Sequence, residues 1–214
     1  MLDASGRATV SHERWSRWYD RLATPFERRL VRAGLAKLAA GEGEKILEVG
    51  FGTGRALVEL GRAVGTTGSV HGVDVSWEMC RMARSRVSRR VVPLCGDARA
   101  LPFAPGSFDG LFMSFTLELF PEAEIARVLC QSQQALRDGG RACLVSLSGA
   151  GEHGLMLRLY RWLQRRFPQY IDCRPIPLGE LLKRSGFSIL DATRESLYGL
   201  PVEIVLAEWR RPFG

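Results

Sequence analysis

Lysine is nearly absent from this chain of 214 residues: Lys37, Lys45 and Lys183 are its only lysines, and arginine supplies the rest of a net charge of +7. Such a surplus suits an anionic partner such as a membrane surface, a nucleic acid or an acidic substrate, but it also arises from an arginine-rich composition with no functional meaning. Histidine is scarce as well. His12, His71 and His153 stand far apart and make no ligand spacing with cysteines or carboxylates, so no metal site is expected. The five cysteines, Cys80, Cys95, Cys130, Cys143 and Cys173, are odd in number, widely spaced and free of any C-x-x-C pair, which excludes a disulfide framework and fits reduced thiols. No stretch approaches the roughly twenty apolar residues of a membrane span. The first thirty residues carry Asp3, Arg7, His12, Glu13 and Arg14, with no continuous apolar segment after them, so no signal peptide is expected. These absences place the protein in the cytoplasm, with any membrane contact peripheral and at the inner face.

What is present is ordinary. The 46% hydrophobic and 25% charged content is that of an average globular protein, and the length suits one domain with appendages. From about Ser11 to Ala40, Trp15, Trp18, Tyr19, Leu22, Phe26 and Leu30 recur at helical steps with arginines between them, and Pro25 divides the pattern into two helices. After the turn at Gly41–Glu44, short apolar runs alternate with helical patterns. Strands are predicted over 45–49, 69–73, 91–95, 108–113 and 141–147, with helices over 53–64, 76–87 and 122–136. That alternation implies crossover connections and a parallel sheet covered on both faces. The end of the chain departs from it: helices over 155–167 and 178–185 precede two strands, 187–194 and 201–208, joined at Tyr198-Gly199-Leu200 and therefore antiparallel to one another at the sheet's edge. The expected fold is a Rossmann-like, doubly wound α/β sheet of seven strands, mostly parallel with an antiparallel C-terminal strand. Residues 1–42 form an N-terminal helical lid, and residues 43–214 the main domain with a helical insertion at about 153–177.

A sheet of this kind binds ligands beyond the carboxyl ends of its strands, where the strand order reverses. Gly50-Phe51-Gly52-Thr53-Gly54 lies there, between the first strand and the first helix of the sheet. Glycines permit positive φ and leave no Cβ in the way, so a ligand can lie against the backbone amides. The spacing is G-x-G-x-G, no Lys-Ser/Thr pair follows, and Glu48 precedes the loop. A carboxylate there would repel a pyrophosphate and attract the ammonium group of an amino-acid ligand. Asp74, closing the second strand about twenty residues on, can accept hydrogen bonds from ribose hydroxyls, and Asp97 after the third strand can accept one from an adenine amino group. Either aspartate alone could equally be a helix cap or turn former. Three such features in order at successive strand ends favour the ligand.

Ile46 to Gly54, Val73 to Ser76, Gly96-Asp97-Ala98 with Leu101-Pro102-Phe103 and Ser107-Phe108-Asp109, and Leu136 to Gly140 resemble successive motifs of the class I S-adenosylmethionine-dependent methyltransferases. The subgroup they resemble best is the ubiquinone and menaquinone biosynthesis methyltransferases and their small-molecule relatives. The resemblance implies S-adenosylmethionine as cofactor and S-adenosylhomocysteine as product. It implies that Gly50, Gly52 and Gly54 lie against the methionine portion, with Glu48 anchoring the loop. Asp74 would take the ribose hydroxyls, Val75 and Met79 flank adenine, and Asp97 and Ala98 read its edge. Ser114 and Phe115 would lie near the sulfonium, with Tyr19 closing over the ligand.

The acceptor is less legible. Methyl transfer is a displacement at a carbon already activated by positive sulfur, so it needs positioning first, and a base only where the accepting atom must lose a proton. Glu118 and Tyr19 are the catalytic candidates, although Glu118 also reads as an ordinary carboxylate before Pro121. Trp15, Glu118, Tyr170, Asp172 and Arg174 are the candidate substrate residues. The apolar segment around Glu118 differs from the polar or basic residues common there in quinone-pathway enzymes. The aromatic N-terminal helices and the basic helix at Arg158, Arg161, Arg165 and Arg166 suit a lid, a bilayer contact or packing on the sheet. The expected function is methyl transfer to a small apolar or amphipathic acceptor, quinone-like or another lipid-pathway ring. A phospholipid amine head group is the alternative. A nucleic-acid methyltransferase or a non-catalytic cofactor-binding protein follows at a distance. The Asn/Asp-Pro-Pro-Tyr or Phe loop of amino-directed base methyltransferases is replaced by Ser114-Phe115-Thr116-Leu117, so a nucleic-acid partner is not expected.

Overall fold

The computed structural model describes residues 25–149 and 174–211. Trp15, Tyr19, Tyr170, Asp172, the helix expected before Pro25 and the basic helix expected over 155–167 lie outside them. The described elements are α1 (Pro25–Leu38), β1 (Lys45–Val49), α2 (Arg55–Ala63), β2 (Ser69–Asp74), α3 (Trp77–Arg84), β3 (Val91–Cys95) and β4 (Phe108–Ser114). A 3-10 turn at Leu117–Leu119, α4 (Glu122–Ala135), β5 (Leu136–Leu147), α5 (Leu178–Arg184), β6 (Ser188–Leu197) and β7 (Leu200–Trp209) follow. Helix α1 opens at Pro25, where a missing backbone N–H costs nothing.

The seven strands form one sheet in the order β3-β2-β1-β4-β5-β7-β6. Strands β1 to β5 are parallel, and β7 runs antiparallel to both of its neighbours. The antiparallel pair expected at the edge is there, with β6 outermost and the antiparallel C-terminal strand β7 between β5 and β6. Side-chain character explains this. Val202, Ile204, Val205 and Ala207 of β7 are buried and need cover on both sides, whereas Asp191-Ala192-Thr193-Arg194 of β6 is exposed and tolerates the edge. The fifth strand, expected over 141–147, begins earlier and takes in Asp138–Gly140, and a register shift between Phe108 and Gly110 of β4 takes up the irregularity.

The strand alternation divides the core. Leu47, Val49, Leu111, Met113, Ala142 and Leu144 point to one face, where α4 and α5 cover them with Val128, Leu129, Leu178 and Leu182. Ile46, Phe112, Cys143 and Val145 point to the other, beneath α1, α2 and α3. Helix α1 therefore belongs to this layer. It approaches closely at Gly34, where a Cβ would lie 2.6 Å from Val145 Cγ2. Arg141 of β5 fixes its end, donating from Nε to the Leu38 carbonyl (2.6 Å) and from Nη2 to that of Ala39 (2.9 Å) while pairing with Glu44 (2.7 Å). Among the described residues no helix is long and apolar enough to cross a membrane.

Candidate functional site

The strand order reverses between β1 and β4, so the crevice beyond their carboxyl ends is the place a ligand is expected. One wall is the glycine turn. Gly50 (φ 72°), Gly52 (φ 52°) and Gly54 (φ 78°) are all left-handed. Their surroundings differ. A Cβ on Gly50 would fall 2.2 Å from Thr116 Oγ1 and one on Gly54 2.6 Å from the Ala83 Cβ, so both are pinned by packing. A Cβ on Gly52 would meet nothing within 4 Å. The middle of the turn thus faces open space, with room for a ligand against its backbone.

Two carboxylates stand behind the turn. Asp74 accepts from Gly52 N through Oδ2 (2.8 Å) and from Ser76 N through Oδ1 (2.9 Å), which ties the end of β2 to the turn and leaves further lone pairs on both oxygens. Burial raises its pKa against the lowering effect of those two N–H groups. Glu48 is 1% exposed, and its Oε2 has no hydrogen-bond partner among the described residues. Burial, with Asp74 adding to it, pushes its pKa well above the ordinary carboxylate value. A buried carboxyl with an orphaned oxygen beside an open glycine turn fits a cationic group, as the ammonium of S-adenosylmethionine would provide.

The adenosine side follows along β2 and β3. Val75 (79% exposed) and Trp77 (72% exposed) present apolar surface beside Asp74, and Ser76 caps α3 through Met79 N. Met79 packs against the core beneath them. Asp97 is ionised at ordinary pH, because Arg99 holds it low through bonds of 2.9 and 2.6 Å to Oδ2. As an acceptor-only group it suits an amino donor. Ala98 is buried in the core, so only its backbone is available to a ligand.

Beyond β4, Phe115 adopts a left-handed φ of 49° and donates its N–H to the Val145 carbonyl (2.8 Å). Ser114 ends the strand beside it, and its carbonyl accepts from the Thr116 hydroxyl (2.9 Å). Thr116 also reaches the Gly50 carbonyl (3.4 Å), joining the two walls. Glu118 is buried, with Oε1 accepting from Leu147 N (3.1 Å). Burial raises its pKa to about 7, against opposing bonds from backbone N–H groups and the Ser146 hydroxyl. Arg174 reaches the same turn, donating from its backbone to Glu118 O (3.3 Å) and from Nη2 to Phe120 O (3.1 Å).

The structure therefore brings Glu48, the three glycines, Asp74, Val75, Asp97, Ser114 and Phe115 to one rim of the sheet, with Glu118 and Arg174 at its β4–β5 end. Sequence reasoning missed Thr116, for which no local signal exists, and Arg99, whose position two residues after Asp97 was a usable one.

A family model described as a methyltransferase domain matches residues 46–140. The chain is 32% identical over 139 residues to a demethylmenaquinone methyltransferase of Staphylococcus aureus (strain MRSA252), covering 62% of this chain and 57% of that protein. It is 29% identical over 170 residues to O-methyltransferase cnsE of Penicillium expansum, covering 77% and 59%. The chain thus spans less than two thirds of the length of either relative. Among solved structures it resembles a SAM-dependent methyltransferase from Aquifex aeolicus, with TM-score 0.67, 20% identity and coverage of 90% and 97%. It also resembles the [4+2]-cyclase SpnF, with TM-score 0.69, 20% identity and coverage of 85% and 80%. These two likenesses are likenesses of fold.

Proposed function

We propose that this chain, which carries a class I S-adenosylmethionine-dependent methyltransferase domain, transfers the methyl group of that cofactor to a small apolar or amphipathic acceptor, a quinone-like or other lipid-pathway ring. The observation that carries the cofactor half of the reading is the orphaned, buried Glu48 carboxyl behind a glycine turn whose centre, at Gly52, opens onto free space. When bound, the cofactor supplies a methyl group on positively charged sulfur. Glu48 balances its ammonium group, Asp74 accepts from its ribose hydroxyls, Val75 and Met79 flank its adenine, and Asp97 accepts from the adenine amine. The turn from Ser114 to Phe120 is left to shape the acceptor side.

The quinone-like ring rests on similarity to the demethylmenaquinone methyltransferase and the O-methyltransferase, and the apolar character of the acceptor on the run Phe115, Leu117, Leu119 and Phe120 after β4. The fold alone would not support it, since one structural neighbour is named a cyclase.

Calorimetry with S-adenosylmethionine and S-adenosylhomocysteine tests the first half. Wild type should bind both, and Asp74→Ala should bind at least tenfold more weakly, in line with the roughly 1.5–3 kcal/mol of a hydrogen bond to a charged group. Wild type that binds neither ends the reading. Labelled methyl transfer to a reduced naphthoquinone, followed by extraction, tests the second.

A further inference from the structure

Three buried side-chain polar atoms have no hydrogen-bond partner among the described residues: Glu48 Oε2, His71 Nδ1 and Glu118 Oε2. An orphaned buried acceptor costs free energy and calls for a reason. Glu48 finds one in the cofactor's ammonium. His71 lies within β2, edge-on to the rings of Phe103 and Phe108 at 5.7 and 5.6 Å, away from the carboxyl ends of the strands. Glu118 has no such explanation, and its place in the fold is telling.

Glu118 sits in the 3-10 turn that follows β4, two residues past Thr116, whose hydroxyl reaches the Gly50 carbonyl. Its own carboxyl reaches the end of β5 at Leu147 N. It therefore stands at the β4–β5 end of the crevice, beside the Ser114–Thr116 segment and on the side away from Asp74 and Asp97. Oε1 is fixed by Leu147 N, which orients the carboxyl, and the Ser146 hydroxyl stands near enough to favour its charged form, while Oε2 has no hydrogen bond of its own among the described residues. Among the described residues, the charged groups on the segments packed against it are otherwise engaged: the Arg174 guanidinium on Phe120 O, and Glu203, opposite Ser146 on β7, with Arg194.

We infer that Glu118 is the proton acceptor of the acceptor site, and that this site takes a substrate methylated at a hydroxyl. The inference rests on the methyltransferase reading above. A neutral amine attacks the methyl carbon without first losing a proton, whereas a phenolic or enolic hydroxyl becomes a competent nucleophile as its proton leaves. A buried carboxyl with one free oxygen is suited to the second case. In the step, the hydroxyl oxygen forms its bond to the methyl carbon while the methyl–sulfur bond breaks, and that electron pair returns to sulfur as a neutral thioether. The hydroxyl proton passes to Glu118 Oε2, and Glu118 later releases it to solvent. Burial places its titration near pH 7, where it can take and return a proton.

The test uses the full chain and catechol, an aromatic diol whose hydroxyls keep their protons well above neutral pH, as the probe. Glu118→Gln keeps an acceptor for Leu147 N, so cofactor affinity should match wild type and thermal unfolding should match it at about pH 4.5, where the carboxyl is protonated, while kcat/KM for methyl transfer to the probe falls about a hundredfold or more. The wild-type pH profile should rise through pH 7, that rise should be absent in Glu118→Gln, and Glu118→Asp should restore part of the rate. A second readout needs no turnover. Infrared difference spectra of the complex with S-adenosylhomocysteine should contain a protonated-carboxyl band that is missing in Glu118→Gln and grows when the probe is added at pH 7.5. An unmoved band, or an unchanged pH profile in Glu118→Gln, overturns the assignment while leaving the methyltransferase reading standing. Failure of wild type to bind S-adenosylhomocysteine overturns both.

Discussion

At the scale of single residues, the glycine turn separates two roles that its sequence merges. Gly50 and Gly52 share a left-handed φ, which disfavours any side chain by roughly 1–2 kcal/mol. Gly50→Ala adds a collision with Thr116, whereas Gly52→Ala adds a methyl group to open space. Urea unfolding should therefore show Gly50→Ala destabilised by more than about 2 kcal/mol and Gly52→Ala by no more than the conformational cost. Calorimetry should show both losing cofactor affinity, Gly52→Ala by steric exclusion alone. Equal stability losses would mean that Thr116 yields and that the two walls of the crevice are not locked together. Glu118 supplies a second residue-scale prediction. Folded Glu118 keeps its proton to about pH 7 while the unfolded chain loses it near 4.5, so its contribution to stability is present below 4.5 and disappears as pH rises through 7. That loss is on the order of 3 kcal/mol. Glu44 and Asp97 are held low by arginines and slope the opposite way, so the quantity to measure is the difference between wild type and Glu118→Gln across pH 4.5 to 8. The difference should shift toward the variant as pH rises.

At the scale of elements, the strands and helices of the parallel half were legible because their periodicities are distinct: continuous apolar runs for strands buried on both faces, and three- and four-residue steps for the helices. The arrangement of the last two strands was not. Sequence proximity suggested a hairpin on the edge, but which member lies inside depends on how many faces each must cover, and the buried row on β7 decided it. The hold of Arg141 on α1 was equally hidden, because an arginine beginning a strand carries no mark of a partner roughly a hundred residues away. Its guanidinium takes two carbonyls at the end of α1 and both oxygens of Glu44. Arg141→Ala should cost about 2–3 kcal/mol in urea unfolding, because the part-buried Leu38 carbonyl and Glu44 carboxylate lose a charged donor. Arg141→Lys should recover little of it, since an ammonium cannot reproduce the planar fork. Full recovery by lysine would show that charge, and not geometry, holds the helix.

At the scale of the whole molecule, a chain with a net charge of +7 gathers the carboxyl groups of Glu48, Asp74 and Asp97 at one rim of its sheet. The cofactor half of that site was readable because its residues follow successive strand ends at fixed positions. Glu118 was a candidate from its place after the fourth strand, but its burial was not legible, because a carboxylate before Pro121 looks like a surface residue until the fold encloses it. The site also joins elements across the sheet: Gly52 to Asp74 links β1 with β2, and Thr116 to Gly50 links β4 with β1. A ligand bound there should stabilise the central sheet as one unit. At a hundred times its dissociation constant, S-adenosylhomocysteine should add about 2.7 kcal/mol, which for a chain of this size raises Tm by roughly 5–10 °C. Asp74→Ala should lose most of that shift at the same ligand concentration while unfolding in a single transition without it. A wild-type Tm unmoved by millimolar S-adenosylhomocysteine would mean that the glycine turn and its carboxylates hold the sheet together without serving this cofactor.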